Sequence, residues 1–280
     1  MNIQSAINEA SLKLKKNNIA SPLIDSEILM TKVLDKKREY VILNIEKKLK
    51  QKDFDYFKDL VNQRLNGKPI AYITGQKYFW KYEFDINENV LIPRPDTELL
   101  VEQILRITKN KTQLRFLDIG TGSGCILLSI LKEKKNFLGT GIDLSQKCLN
   151  TTKNNAYKLN VSNRVRLFKT NVDKFIHGKY DLIISNPPYI KKLDLKYLEK
   201  DVVNFEPRLA LDGGLDGTSE ISKVINKSSE LIKKNGKLIL EIAFDQKYKV
   251  KKMLKDKGFY INKVSKDFAN NDRCIISTKI

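Results

Sequence analysis

The sequence predicts an α/β protein whose main domain is a doubly wound, mostly parallel sheet, preceded by a small helical domain. From residue 114 onward, short apolar runs alternate with runs that carry apolar residues at helical spacing. Strands joined by crossover helices have this pattern. Residues 1–75 show helical spacing instead, and 280 residues with 41% hydrophobic content are enough to build a core in each part.

The N-terminal domain is predicted to be a helical bundle over residues 1–75. Ser21 offers an N-cap and Pro22 a first helical residue, and apolar residues then recur every three to four positions. Another helix is predicted over residues 54–65, because the Asn-Gly-Lys-Pro segment at 66–69 ends a helix and cannot continue it.

A hairpin is predicted over residues 76–92, between the bundle and the main domain at 93–280. Its basis is the alternation of Phe84 and Ile86 with polar neighbours. Prolines then halt the extended chain, and Asp96 is predicted to cap the first helix of the main domain.

The main domain is predicted to contain seven strands with helices between them. The predicted strands cover residues 114–119, 137–143, 165–168, 180–185, 236–242, 260–265 and 274–278. The predicted helices cover residues 125–132 and 145–159, and a further helix ends at Gly258. One doubly wound sheet accounts for all of these elements.

Composition excludes several classes of protein. No apolar run approaches the length needed to span a bilayer, so we expect a cytoplasmic protein with no membrane partner. The cysteines, Cys125, Cys148 and Cys274, lack the paired spacing of a zinc site or a disulfide framework, and we expect no metal. His177, the only histidine, lies in a predicted surface turn and is assigned no chemistry.

The net charge of +19 has two interpretations. Lysines bind phosphates and release counterions, which would favour transient proximity to the ribosome or to RNA. Abundant Lys, Asn and Ile are also typical of an AT-rich genome, and the lysines are interleaved with acidic residues. We favour a solvated surface and leave the RNA interpretation open.

A glycine-rich turn follows the first strand of the sheet and opens a helix. Gly120, Thr121, Gly122, Ser123 and Gly124 form a G-x-G-x-G pattern that lets a ligand approach the backbone. The alternative is a turn that only lets the helix pack closely on the strand.

Acidic and apolar residues around this turn suggest which ligand it binds. Asp118, just before the turn, disfavours a pyrophosphate and suits the sulfonium and ammonium groups of S-adenosylmethionine. Asp143, at the end of the second strand, is the candidate acceptor for ribose hydroxyls. After the third strand Val172 is predicted to pack on the adenine, while a contact from Asn171 or Asp173 is undecided.

The Asn-Pro-Pro-Tyr loop (186–189) follows a buried strand and is the predicted reacting site. Asn186 and the Pro187 carbonyl can each accept one hydrogen of an NH2 group, which turns the nitrogen lone pair toward a methyl donor. Tyr189 is predicted to stack on the substrate, and Pro188 completes the substrate site. Asn186 is also expected to contact the cofactor. A plain Asn-Pro-Pro turn is the alternative.

This loop is the signature of amino-methyltransferases that act on adenine, guanine or a glutamine amide. Over residues 20–276 the sequence resembles the bacterial release-factor glutamine methyltransferase family. The resemblance rests on segments 67–75, 91–98, 205–217 and 271–273. It implies a Rossmann-like class I methyltransferase that modifies the glutamine of the Gly-Gly-Gln motif in peptide-chain release factors, with Asn186 and Pro187 holding the amide.

The resemblance also suggests that Arg94, Thr97 and Glu98 line the mouth of the active site, although Asp96, Thr97 and Glu98 equally make an ordinary helix start. An adenine or guanine methyltransferase acting on DNA or ribosomal RNA is the nearest rival. A non-catalytic RNA-binding protein is the rival from another class. The non-catalytic alternative is disfavoured because the sequence retains the predicted site residues Asp118, Gly120, Asp143 and Asn186.

Overall fold

The computed structural model describes residues 1–280, which divide into two compact units: Met1–Gln76 with Glu199–Phe205, and Lys77–Leu198 with Glu206–Ile280. The helices are α1 (Ile3–Lys16), α2 (Pro22–Leu34), α3 (Arg38–Leu43), α4 (Gln51–Leu65), α5 (Ile70–Thr74), α6 (Glu98–Ile107), α7 (Cys125–Glu133), α8 (Gln146–Lys158), α9 (Lys200–Phe205), α10 (Ser219–Leu231) and α11 (Lys247–Asp256). The strands are β1 (Gln76–Phe79), β2 (Tyr82–Asp85), β3 (Arg115–Ile119), β4 (Leu138–Asp143), β5 (Val165–Lys169), β6 (Tyr180–Ser185), β7 (Ile232–Glu241), β8 (Phe259–Lys266) and β9 (Asp272–Lys279). No helix has both the length and the apolar character that crossing a membrane requires.

The first unit is a set of short helices around its own apolar core. One face of α1 is buried and packs with residues of α2 and α4, including Leu29 and Phe57. Pro22 begins α2 as predicted, but Ser21 does not cap it: its hydroxyl donates to Asp25 at 2.8 Å. Asp25 also accepts from Arg64 at 2.8 Å, which joins α2 to α4 through a buried ion pair.

The second unit is built on a seven-stranded sheet in the order β5-β4-β3-β6-β7-β9-β8. Strands β3 to β7 are parallel, which confirms the predicted doubly wound, mostly parallel sheet. The chain runs outward from β3 to β5 and then returns to β6 beside β3. Strand order therefore reverses between β3 and β6, where ligands bind in such folds.

One local prediction is wrong, and two features were not predicted. Strand β9 is antiparallel to both β7 and β8, a direction that the prediction of a mostly parallel sheet left open. Asp96 does not cap a helix, because residues 95–97 form a 3-10 turn and α6 begins at Glu98. Helix α10, which packs on β6 and β7, was not predicted.

The hairpin of β1 and β2 is shorter than the predicted 76–92 segment. Phe79 and Phe84 are fully buried in it, with ring centroids 6.2 Å apart in an edge contact. Asp85 is held by α8, since its N–H donates to the Asn155 side chain at 2.8 Å and its carbonyl accepts from the same side chain at 2.9 Å.

Gly139 in β4 allows α7 to approach the sheet. A Cβ atom there would lie 2.6 Å from Leu127 Cδ1 and 3.1 Å from Phe116 Cζ. We expect Gly139→Ala to lower the free energy of unfolding by about 1–3 kcal/mol, because adding volume to a filled core costs that much. Urea unfolding measures this change.

The matched control for Gly139→Ala is a double variant that also carries Leu127→Ala, which removes the nearest methyl group. The two substitutions should then cost less together than the sum of their separate effects. A single Gly139→Ala variant as stable as the wild type would contradict this account of the packing.

Candidate active site

A cavity of about 350 Å³ opens at the carboxyl ends of β3, β4, β5 and β6. Its position between β3 and β6 is the point where strand order reverses. The sequence-predicted site residues that line it are Gly120, Gly122, Asp143, Asn171, Val172, Asn186, Pro187 and Pro188. Residues far apart in the chain thus meet around one space.

The floor of this cavity is the glycine turn after β3. Gly120 and Gly122 have φ of 75° and 58°, a region that other residues rarely adopt. A Cβ atom on Gly120 would have no neighbour within 4 Å, so the missing side chain leaves room for a ligand. The N–H groups of Gly120 and Thr121 donate to the Ile142 carbonyl, which fixes the turn against β4.

Asp143 holds a fixed carboxylate at the cavity wall. Its Oδ2 atom accepts from the Gly122 N–H at 3.0 Å, and its Oδ1 atom accepts from the Ser145 N–H at 2.9 Å. Each carboxylate oxygen can accept a further hydrogen bond. The side chain is therefore oriented before a ligand arrives and still has capacity for two hydroxyl donors.

Asp118 lies under the glycine turn rather than on the cavity surface. It is 1% exposed; Oδ2 accepts from the Thr121 hydroxyl at 2.8 Å, while Oδ1 has no hydrogen-bond partner. Burial, with a smaller contribution from the charge of Asp143, raises the pKa of Asp118 to about 7, and the Thr121 hydrogen bond opposes this rise. An unpartnered buried oxygen in this position favours a cationic ligand above the turn.

The other turn residues, Thr121, Ser123 and Gly124, shape the turn and do not line the cavity. The Ser123 carbonyl accepts from Asn155 of α8 at 2.9 Å. A Cβ atom on Gly124 would lie 2.8 Å from Thr152 Cγ2, so this glycine permits close helix packing. Gly124 thus fits the packing interpretation, while the ligand interpretation stays a prediction for Gly120 and Gly122.

The segment after β5 supplies an apolar wall. Val172 is buried and lines the cavity. Asn171 also lines it, but its side-chain oxygen accepts from the Asp173 N–H at 3.0 Å and so stabilises its own turn. Asp173 is exposed and does not line the cavity, which leaves Val172 and Asn171 as the candidates for an adenine contact.

Asn186 is anchored by one side of its amide. Its Nδ2 atom donates to the Thr97 hydroxyl at 3.1 Å, and this is its one side-chain hydrogen bond. Asn186 Oδ1 is free to accept from a ligand. The Pro187 carbonyl accepts none of the backbone hydrogen bonds of this loop, and Pro187 lines the same cavity. Asn186 Oδ1 and the Pro187 carbonyl are thus two unused acceptors on adjacent residues that line the cavity.

Tyr189 does not line the cavity, so the predicted stacking surface is absent from the cavity wall. Its ring packs against the core, its hydroxyl donates to Glu241 Oε1 at 3.3 Å, and its carbonyl accepts from Gln246 at 3.0 Å. Burial raises the pKa of Tyr189, and the charge of Glu241 raises it further. The phenol therefore acts as a neutral donor.

Arg94 and Glu206 join two segments near the loop. Arg94 Nη2 lies 2.5 Å from Glu206 Oε1, and Glu206 Oε2 accepts from the Ile92 N–H at 3.2 Å. Glu206 is 1% exposed at its side chain, and Arg94 is partly exposed. This ion pair holds residues 91–98 in place beside the residues that follow α9.

Sequence comparison identifies the family. Residues 5–75 match the family model "PrmC N-terminal domain" and residues 95–267 match "Methyltransferase small domain". The release factor glutamine methyltransferase of Clostridium botulinum is 38% identical over 269 residues, 95% of each chain. That of Buchnera aphidicola is 36% identical over 100% of this chain and 99% of its own. The chain belongs to the release factor glutamine methyltransferase family.

Relatives with a second activity in their name are longer than this chain. The "Bifunctional methyltransferase" of Rickettsia typhi is 33% identical over 98% of this chain but only 56% of its own length. This chain therefore spans little more than half the length of that relative.

Solved structures confirm the Rossmann-like methyltransferase fold of the family member. A methyltransferase from Pyrococcus furiosus matches with a TM-score of 0.54 over 79% of this chain and 98% of that one, at 18% identity. A ribosomal protein L11 methylase from Lactobacillus delbrueckii matches with a TM-score of 0.52 over 70% and 84%, at 18% identity. At this identity the likeness concerns the fold alone.

The residues around this cavity fit S-adenosylmethionine, the cofactor that the sequence predicts. The empty space above Gly120 admits a ligand, and the unpartnered Asp118 Oδ1 below the turn favours positive charge. Asp143 offers acceptors for hydroxyl groups beside the apolar wall of Val172.

Sequence reasoning missed Glu241 and did not decide the role of Thr97. Glu241 ends the buried strand β7 at the same sheet edge as Asp143, and a carboxylate at the end of an apolar strand was the signal available. Thr97 is 2% exposed and immediately precedes α6, and its hydroxyl accepts from Asn186, so it lies at a helix start and also contacts the Asn-Pro-Pro-Tyr loop.

Proposed function

We propose that this protein transfers a methyl group from S-adenosylmethionine to the side-chain amide nitrogen of the glutamine in the Gly-Gly-Gln motif of peptide-chain release factors. The observation that carries the proposal is the pair of free acceptors, Asn186 Oδ1 and the Pro187 carbonyl, beside the cofactor cavity. A primary amide presents two N–H donors, one for each of these acceptors.

The proposed mechanism relies on orientation rather than on a strong base. Asn186 Oδ1 and the Pro187 carbonyl each hold one hydrogen of the substrate amide, which fixes the nitrogen and directs its developing lone pair toward the methyl donor. S-adenosylmethionine would supply a methyl group bonded to a positively charged sulfur. When the S–CH3 bond breaks, the sulfur keeps the electron pair and becomes a neutral thioether. The nitrogen bears positive charge after transfer, and its surplus proton then leaves to water.

Gly120, Gly122, Asp143 and Val172 are the residues that we propose hold the cofactor. The turn is stabilised by the Thr121–Asp118 hydrogen bond, by the bond to the Ser123 carbonyl and by close packing at Gly124. The Asn-Pro-Pro-Tyr loop is stabilised by the hydrogen bond of Tyr189. Catalysis is thereby assigned to Asn186 and Pro187, while Pro188 lines the same space and contacts substrate. Because its substrates act in translation, we assign the protein to the cytoplasm.

The experiment that tests this function is parallel transfer of a labelled methyl group to purified release factor, DNA and ribosomal RNA. We expect label on the release factor only. A release factor whose motif glutamine is replaced by alanine is the control and should remain unlabelled. Label on DNA or RNA, or label that persists in the control, would overturn the assignment in favour of a base methyltransferase or of another residue.

The surface charge gives a second expected result. Distributed lysines change the rate of encounter more than the contacts in the cavity. Methylation of release factor should therefore slow by less than about tenfold between roughly 0.05 and 0.5 M salt, because screening weakens only long-range attraction. Initial rates under subsaturating substrate measure this effect. A steeper decline would indicate that many ion pairs form in the complex.

A further inference from the structure

A second cavity, of about 280 Å³, lies at the amino ends of the sheet strands, and we call it the amino-edge cavity. The first residues of β3, β4, β5 and β6 all line it; they are Arg115, Leu138, Val165 and Tyr180. The carboxyl ends of the same four strands surround the cofactor cavity, so the two cavities lie at opposite edges of the sheet. No role assigned above uses the amino-edge cavity.

The connection between β5 and β6 leaves the amino-edge cavity accessible. The connections from β3 to β4 and from β4 to β5 contain α7 and α8, whereas residues 170–179 contain only a 3-10 turn at Val172–Lys174. Val172 and Phe175 of this connection pack in the core of the sheet. Leu138, at the start of β4, nevertheless stays 47% exposed. The amino ends of the strands are therefore open to a ligand.

Four cationic side chains and no acidic side chain line the amino-edge cavity; they are Arg115, Arg164, Arg166 and Lys179. Arg164 is held by carbonyls at the end of α7, to which it donates at 2.7 to 3.4 Å, and Lys179 donates to the Glu230 carbonyl. Arg115 and Arg166 are exposed, and their guanidinium groups form no hydrogen bond or ion pair. Like charges this close together repel, so a bound anion would be stabilised here.

The surface around the amino-edge cavity is basic as well. The segments that lead into β3 to β6 contain eight Lys or Arg residues and no Asp or Glu; they are residues 109–115, 134–138, 161–166 and 177–180. No ion pair joins any of these eight to a carboxylate. The next residue in the chain, Asp181, is paired with Lys233 at 2.7 Å. Acidic residues are common elsewhere, 33 against 52 Lys and Arg in the whole chain, so compositional drift does not explain this separation.

Stacked rings form one side of the amino-edge cavity. Phe168 and His177 both line it, and their ring centroids lie 5.6 Å apart with planes inclined by 20°. Phe175 contacts both rings, at 5.5 and 5.7 Å between centroids, and so holds the pair in place. His177 is exposed, which allows a planar ligand to extend this stack.

We propose that the amino-edge cavity and the basic surface around it bind single-stranded nucleic acid, with one nucleotide seated in the cavity. The phosphate of that nucleotide contacts Arg115 and Arg166, and its base stacks on His177. Guanidinium groups match phosphate oxygens in geometry and charge, and a base of any identity can stack on a flat side chain. The site is independent of the proposed function because it lies at the other edge of the sheet.

The basic surface favours a strand over a free mononucleotide. Exposed Lys109, Lys111 and Lys135 lie in the same segments but do not line the cavity, so positive charge extends beyond the space that one nucleotide fills. The cavity favours an unpaired strand over a duplex, because a base inside a duplex is already stacked and cannot enter it. Together these features fit the combination of a charged groove and a stacking surface that binds single strands.

Fluorescence anisotropy with a labelled oligouridylate of about ten nucleotides tests the site on the full chain. We expect a Kd of roughly 1–100 μM at about 0.1 M salt. Arg115→Gln combined with Arg166→Gln should raise this Kd at least about tenfold. The slope of log Kd against log salt should fall by about 0.7 to 1.4, since one or two phosphate contacts are lost.

The matched control removes the same charge from another exposed surface of the same unit. Lys252→Gln combined with Lys255→Gln, on α11, should change the Kd by less than about threefold. Arg115→Lys combined with Arg166→Lys should give an intermediate Kd, because the charge remains while the planar fork is lost. Circular dichroism verifies the folding of each variant.

His177→Ala tests the stacked base. It should raise the Kd for oligouridylate by about 5- to 20-fold and leave the slope against salt unchanged, because it removes a stacking surface. His177→Phe should restore binding, since a phenyl ring offers an equivalent face. Uridine monophosphate should displace the oligonucleotide only at concentrations at least about tenfold higher than unlabelled oligouridylate, because it lacks the flanking phosphates.

A variant in the cofactor cavity separates this site from the proposed function. Asp143→Ala should keep the Kd for oligouridylate within about twofold, and the Arg115 and Arg166 variants should still methylate release factor if the proposed function is correct. A wild type that binds oligouridylate as described but does not methylate release factor would contradict the function alone.

Three results would each refute the nucleic-acid site. One is equal weakening of binding by the control pair on α11, which would show that only the overall charge matters. Another is a folded His177→Ala variant that binds as tightly as wild type. The third is uridine monophosphate that competes as well as the oligonucleotide, which would show that the cavity binds a free nucleotide.

Discussion

Asn186→Ala should lower turnover by about 10²- to 10³-fold, the usual cost of removing one preorganised polar contact to the reacting group. The substitution deletes one of two acceptors for the substrate amide and leaves the Pro187 carbonyl alone. The amide nitrogen can then rotate, so its lone pair is no longer directed at the methyl donor. Affinity for S-adenosylmethionine should change little, because the cavity also has Gly120, Asp143 and Val172 as walls.

Steady-state rates on a release factor measure this effect, with circular dichroism to verify folding. Asn150→Ala, at an exposed asparagine of α8, is the matched control and should keep wild-type turnover. Asn186→Asp should be milder than alanine because an acceptor remains, although the donor to Thr97 is lost. If folded Asn186→Ala turns over at a near-normal rate, the amide-holding mechanism is wrong.

The second large effect is expected at Asp143, where alanine should weaken S-adenosylmethionine binding by about 1.5 to 3 kcal/mol. That range corresponds to a roughly 10- to 150-fold higher Kd. Two causes act together: the charged acceptor for ribose hydroxyls is lost, and so are its bonds to the N–H groups of Gly122 and Ser145. The glycine turn then becomes less ordered before the cofactor binds.

Isothermal titration calorimetry measures the change, and Asp143→Asn separates the two causes. The asparagine keeps one oxygen that can accept from a backbone N–H but lacks the charge. It should therefore lie between wild type and alanine. Asp256→Ala, at an exposed aspartate of α11, is the control and should leave Kd unchanged. Equal cofactor affinity in Asp143→Ala would remove Asp143 from the site.

The sheet was predictable because a strand buried on both faces is apolar along its length. Strand β6 was predicted with its observed ends, Tyr180 and Ser185. The pattern does not determine strand direction: β9 is antiparallel to β7, yet its central residues, Cys274 to Ser277, are buried as in a parallel strand. Helix α10 escaped prediction because Ser228 and Lys227 occupy buried positions where an apolar stripe would be expected.

The site was predictable where its residues are contiguous. The glycine turn and the Asn-Pro-Pro-Tyr loop each follow a strand directly, so local pattern revealed their place at the sheet edge. The residues that stabilise them could not be predicted in this way, since the Asn186–Thr97 and Tyr189–Glu241 hydrogen bonds join segments that are far apart in the chain. Such contacts depend on topology.

The position of β9 has a consequence for synthesis of the protein. Residues 272–279 pair with β7 on one side and β8 on the other, although both partners precede them in the chain. While the ribosome has not yet added this segment, β7 has an open edge, and Arg273 is missing from the surroundings of Glu241. The edge of β7 that β9 covers is therefore completed only after the segment from Asp272 onward has been synthesised.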